Sequence, residues 1–129
     1  MNLLGIREPE TYGHRSFEEY FVDLKGEFSN LDLSYFQTNH EGVIIDKLQE
    51  VGFEIDGIII NPGGYTHTSI ALADTVAAIT TPVVEVHISD IYQREEFRHV
   101  SYIKAVAHAS IVGMGLEGYR MAIKTLSEL

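Results

Sequence analysis

Gly57-Ile58-Ile59-Ile60-Asn61-Pro62-Gly63-Gly64-Tyr65-Thr66-His67 is an unbroken apolar run that stops abruptly at a polar, glycine-rich turn. That pattern is a buried strand feeding a loop. Three consecutive isoleucines with no polar alternation suit a strand covered on both faces, as in a parallel sheet between two helix layers. Pro62 ends the ladder, Gly63 and Gly64 admit close backbone approach, and Thr66 or Thr68 is placed to cap a following helix. In open α/β sheets the space beyond the strands' carboxyl ends is where ligands bind.

Outward from this stretch, helical and strand patterns alternate. Glycines and a proline make 5–13 a loop. Ser16 and Glu19 have capping-box spacing, and Phe17, Tyr20, Phe21, Leu24 and Phe28 recur every three or four residues, which predicts a helix over about 16–29. Leu31, Leu33 and Tyr35 alternate with polar residues as a half-buried strand ending near Gln37. Ile44, Leu48 and Val51 mark a helix closed by Gly52. After the central strand a helix of about 66–79 is expected, then a strand from Val83 to Ile88. A long polar loop follows over 89–98, with room for one helical turn. Ala109 to Val112 is a short strand, and Leu116 to Leu129 a final helix. This order predicts a doubly wound α/β fold, a parallel sheet between helix layers, in a single domain of 129 residues.

Composition narrows the function. With 45% hydrophobic and 22% charged residues the chain is ordinary globular protein, and zero cysteines exclude disulfides, thiolate metal sites and cysteine nucleophiles. That usage fits a cytoplasmic protein. Nine Lys+Arg against nineteen Asp+Glu give a formal charge of −10, which repels nucleic acid and anionic membranes and requires a local positive cluster for any anionic small molecule. No apolar run reaches the roughly 18 residues of a membrane span. Six histidines fall in no metal-binding motif, although Glu85 and His87 share a strand face. Gly113-Met114-Gly115-Leu116-Glu117-Gly118 matches the dinucleotide fingerprint, but outside the first βα unit and without the acidic residue about 20 positions on. It reads as structural.

Polar residues concentrate where strands end. Asn61 and His67 bracket the end of one strand, His87-Ile88-Ser89 ends another, and Arg94 and Arg98 lie in the loop beyond. Arg7 and Tyr12 sit in a glycine-flanked loop over about 5–15 that can close on that edge. A phenol ionises only near pH 10, and an adjacent guanidinium favours its charged form, which makes tyrosine a usable base. Taken by themselves, these residues favour the plainer reading, Tyr12 as a packed loop aromatic and Arg7 as a solvated charge.

Asn2-Leu3-Leu4-Gly5, Arg7-Glu8-Pro9 through Tyr12-Gly13, Asn39-His40-Glu41-Gly42, Asn61-Pro62-Gly63 through Thr66-His67-Thr68, Glu85-Val86-His87-Ile88-Ser89, Arg94-Glu95-Glu96-Phe97-Arg98 and Leu116-Glu117-Gly118-Tyr119 stand in one order along the chain. In that order and spacing the sequence resembles the type II 3-dehydroquinate dehydratases of the shikimate pathway, which leads to chorismate and the aromatic amino acids. The resemblance implies a flavodoxin-like fold, a dodecamer of four trimers, and no cofactor or metal. It implies anti elimination of water from 3-dehydroquinate through an enolate, with Tyr12, activated by Arg7, as base, His87 as acid and Glu85 as its orienting or tuning partner. Asn61 and the N–H groups of Ile88 and Ser89 would hold the substrate carboxylate, His67 and Arg98 the ring hydroxyls, and Asp74 would reach in from a neighbouring subunit. One departure stands out: the family opens with a strand and a Gly-Pro-Asn-Leu turn, and this chain begins inside that turn. A sheet lacking its first strand is the expectation. Two other functions stay open, a catalytically impaired homologue acting as an assembly module, and a phosphate or flavin binder using the 61–69 turn.

Overall fold

The computed structural model describes residues 2–5, 17–93 and 95–129, with 2–5, 97 and 98 as backbone. Strand β1 (Asn2–Gly5) is followed by helix α1 (Phe17–Glu27), β2 (Ser34–Phe36), α2 (Glu41–Val51), β3 (Ile58–Asn61), α3 (Ile70–Ala78), β4 (Val83–His87), β5 (Ala109–Val112) and α4 (Glu117–Ser127). The sheet has the order β2-β1-β3-β4-β5, and every pairing is parallel. This is the doubly wound arrangement expected from the alternating pattern.

The sheet has a strand at its inner position all the same, formed by the residues that match the turn after the family's first strand. Asn2–Gly5 occupies the inner position of the sheet, pairing Asn2 to Gly5 with Ile58 to Asn61 on one side and Asn2 to Leu4 with Ser34 to Phe36 on the other. An inner strand in a parallel sheet needs partners for its backbone donors on both edges, and four residues suffice to supply them here. The proposed lid over 5–15 lies, beyond Gly5, outside the described residues.

The isoleucine run behaves as two-sided burial requires. Ile58 and Ile60 pack with α2 and α3 residues Ile44, Leu48, Leu72 and Val76, whereas Ile59 packs on the opposite face with Leu24 of α1 and Tyr119 and Ile123 of α4. Each such side chain contributes about 1.5–3 kcal/mol by leaving water. Between the layers the sheet has no polar face to spare, so any charged residue on β3 or β4 must find its partners inside.

Local signals were partly redirected by packing. Gly52 does close α2, but with a right-handed φ of −69°. Its lack of a side chain matters for space instead, since a Cβ would stand 2.5 Å from the Leu48 carbonyl oxygen and 2.4 Å from Ile79. The helix expected over 66–79 divides into a 3-10 turn, Gly63–His67, and α3 proper. Neither Thr66 nor Thr68 caps α3; Ser69 does, accepting from the Leu72 N–H at 2.9 Å. The loop after β4 holds two 3-10 turns, Ile91–Gln93 and Glu96–His99. The fingerprint-like glycines are structural: Gly113 and Gly115 adopt positive φ, the Gly113 N–H donates to the His87 carbonyl, and a Cβ on Gly118 would lie 3.0 Å from Val86.

Candidate active site

β3 and β4 are adjacent and parallel, so Asn61 and His87 end side by side at the carboxyl edge of the sheet. Asn61 is buried and fully oriented: its Oδ1 accepts from the Gly63 N–H at 3.1 Å and its Nδ2 donates to the Tyr119 hydroxyl at 3.0 Å. One amide N–H of the two on Nδ2 is thus committed to α4, leaving the other for the sheet edge.

Glu85 is the most unusual residue of the edge. It has no solvent exposure, yet it sits in a strand whose every residue is buried. Four donors account for that. His87 Nε2 at 2.9 Å, Ser101 Oγ at 2.8 Å and the Thr66 hydroxyl converge on Oε2, and Ser110 Oγ donates to Oε1 at 2.7 Å. A carboxylate offers about four acceptor sites, so four donors match it in number, three of them sharing Oε2. Burial acts to raise its pKa, but the His87 hydrogen bond and charge, with Thr66 and Ser110, outweigh it and bring Glu85 down to about 2. It is therefore an anion at neutral pH. An ionised carboxylate only accepts, so His87 carries hydrogen on Nε2, and Nδ1 is the ring atom left to exchange a proton.

His67 lies close by, its ring 6.4 Å from that of His87 and nearly parallel to it. Its Nδ1 is 2.6 Å from the Val100 carbonyl oxygen. A carbonyl accepts, so Nδ1 bears the hydrogen and the neutral ring has its acceptor at Nε2. Ile88 is buried and Ser89 half-buried, both immediately beyond β4.

The structure thus brings Asn61, His67, Glu85, His87, Ile88 and Ser89 together at one edge. Asp74 stands apart, exposed on α3, outside the Glu85 group. Arg7, Tyr12 and Arg94 lie outside the described residues, and Arg98 is described only as backbone in the turn Glu96–His99. Sequence reasoning missed Thr66 as a donor, having taken it for a helix cap, and missed Ser101, Ser110 and Tyr119. A signal existed for one of them. Glu85 and Ser110 are register partners on adjacent parallel strands, and a carboxylate in an apolar strand demands hydroxyls beside it.

A 2-1-3-4-5 parallel sheet with its oriented polar groups gathered at the strands' carboxyl ends defines a flavodoxin-like α/β protein, a fold class in which ligands bind at that edge. The family model described as dehydroquinase class II matches residues 1–127. A 3-dehydroquinate dehydratase of Halothermothrix orenii is 51% identical over 98% of this chain and 86% of its own length, and one of Bacillus pumilus 48% over 98% and 87%. The crystal structure of the type II dehydroquinase from Butyrivibrio crossotus aligns with a TM-score of 0.85 at 44% identity, covering 98% of this chain and 97% of that one. That from Propionibacterium acnes gives 0.88 at 33% identity, covering 99% and 94%. The chain belongs to the class II dehydroquinases, a family of lyases. Among the described residues no helix is long and apolar enough to cross a membrane.

Proposed function

We propose that this chain removes water from 3-dehydroquinate to give 3-dehydroshikimate. The observation that carries this reading is the buried Glu85–His87 pair beside Asn61 at the sheet's carboxyl edge, in a chain of this family. Tyr12, held as phenolate by Arg7, takes the proton α to the ketone and an enolate forms. The enolate then collapses, expelling the hydroxyl; His87, entering this step protonated on both ring nitrogens, gives up its Nδ1 proton to make it water, and Tyr12 releases the abstracted proton to solvent as His87 takes one up, which restores both groups. Glu85 stays ionised throughout, fixing the ring's tautomer and aim. The second Nδ2 hydrogen of Asn61 and the N–H groups of Ile88 and Ser89 hold the substrate carboxylate; His67 Nε2 and Arg98 hold ring hydroxyls. Asp74, exposed on α3, completes the site of a neighbouring subunit in a dodecamer of four trimers. No cofactor or metal takes part.

Turnover is followed by the ultraviolet absorbance of the enone product. His87→Ala and Tyr12→Phe should each lose roughly a hundredfold or more in kcat with circular dichroism unchanged, and Arg7→Ala should lose turnover likewise. Near-normal kcat in Tyr12→Phe would remove that residue as the base.

A further inference from the structure

Residues 100–102 touch the site at three points. The Val100 carbonyl takes the His67 Nδ1 hydrogen at 2.6 Å, Ser101 Oγ donates to Glu85 Oε2 at 2.8 Å, and the Tyr102 N–H donates to the Thr66 carbonyl at 2.8 Å. Three consecutive residues thereby bind the 3-10 turn that carries Thr66 and His67 to the strand that carries Glu85 and His87. The same Ser101 oxygen accepts from the Lys104 N–H at 3.0 Å, which fixes the turn that follows.

Proton accounting makes Ser101 the central member. Thr66 and Ser101 hydroxyls stand 2.7 Å apart, and each also donates to Glu85. A hydroxyl has one hydrogen, so with both committed to the carboxylate neither has one left for the other. The two oxygens are held side by side by the shared anion. Removing the Ser101 hydroxyl takes one of the three donors from Oε2, leaving His87 and Thr66 free to shift on it, and breaks the attachment of the 100–102 segment to β4. Because Val100 precedes it directly, the segment whose carbonyl sets the His67 tautomer loses its tie to β4 in the same stroke and keeps the Tyr102 N–H to the Thr66 carbonyl.

We propose that Ser101 is a positioning residue that sets both histidines at once, His87 through Glu85 and His67 through the Val100 carbonyl. The proposal rests on the dehydratase reading for its effect on rate, and on the hydrogen bonds alone for its effect on the rings. Ser101 touches no substrate in this scheme; it acts through its neighbours.

Ser101→Ala and Ser101→Thr would be compared with the unaltered protein, well below the melting temperature of each, by enone assay and by ¹⁵N chemical shifts of the histidine rings. The alanine variant should lose roughly tenfold in kcat, the scale of one hydrogen bond to a charged group. Threonine, which keeps the hydroxyl, should recover to within about twofold. In Ser101→Ala the ring nitrogens of both His67 and His87 should move away from single-tautomer values, whereas a residue serving only to pack would lower the melting temperature and leave both rings as they were. Full kcat with unmoved rings in Ser101→Ala would overturn the proposal, and movement of His87 alone would remove its His67 half. If the unaltered protein fails to dehydrate 3-dehydroquinate, the functional reading falls, while the ring shifts still decide whether Ser101 sets the two histidines.

Discussion

Glu85 and Glu27 each meet a cationic or cation-forming partner at hydrogen-bond distance, and the closer of the two contacts carries the lesser consequence. Glu27 lies 2.6 Å from Arg120 Nε, joining α1 to α4, with side chains 40% and 39% exposed. Glu85 lies 2.9 Å from His87 Nε2, with side chains 0% and 5% exposed. Exposed pairs are screened by water and lose side-chain freedom in forming, so distance alone is a poor guide to their weight. A buried carboxylate is costly to desolvate and must be matched donor for donor, so its surroundings are held to one arrangement. Glu117, beside Arg120, also accepts from the hydroxyl of buried Tyr20, whose phenol is pushed up to about 12, by burial first and then by the charge of Glu117. That is a phenol kept protonated, the reverse of what a tyrosine base requires.

The contrast can be broken most directly at Glu85. Glu85→Ala leaves the Thr66, Ser101 and Ser110 hydroxyls and the His87 ring without their common acceptor, and should cost roughly 3–5 kcal/mol in urea unfolding. Glu85→Gln should be milder, because the Ser110 hydroxyl can turn to accept from the new amide, yet it removes the charge and should still depress turnover. Equal stability of the alanine variant and the unaltered protein would mean that the four donors have other partners.

A second test uses pH. The Glu85 carboxyl is lowered from 4.5 to about 2, so the folded state favours its ionised form. That contribution is complete above about pH 4.5 and is lost as pH falls from there toward 2, and it amounts to about 3 kcal/mol. Denaturant midpoints measured between pH 6 and pH 3 should fall across the lower half of that range, and Glu85→Gln should flatten the fall. An identical pH dependence in both proteins would assign the acid sensitivity to other carboxylates.

The smallest effect is expected at the surface pair. Arg120→Ala should leave kcat and the unfolding midpoint unchanged within error in 0.15 M salt, since the Debye length there is about 8 Å. A clear loss of stability would show that the α1–α4 contact depends on charge and not on the apolar packing of Leu24, Tyr119 and Ile123 beneath it.

The strand–helix alternation, the double burial of Ile58 to Ile60, the limits of β5 and the family itself were all legible in the residues, because periodicity and motif spacing are properties of the chain taken in order. So was the gathering of Asn61, His67 and His87, since adjacent parallel strands end together. The place of Asn2–Gly5 was not legible. A four-residue segment with two leucines has too little pattern to declare itself, and only pairing on both edges with Ile58–Asn61 and Ser34–Phe36 makes it a strand. Thr66 looked like a cap because capping is a local rule, and Glu85 claimed its hydroxyl from 19 residues away. Ser101 and Ser110 carry no signal of their own. A serine is equally at home in solvent, and what makes these two part of the site is a buried anion whose acceptors must all be met, a demand that exists only once the layers have closed around it.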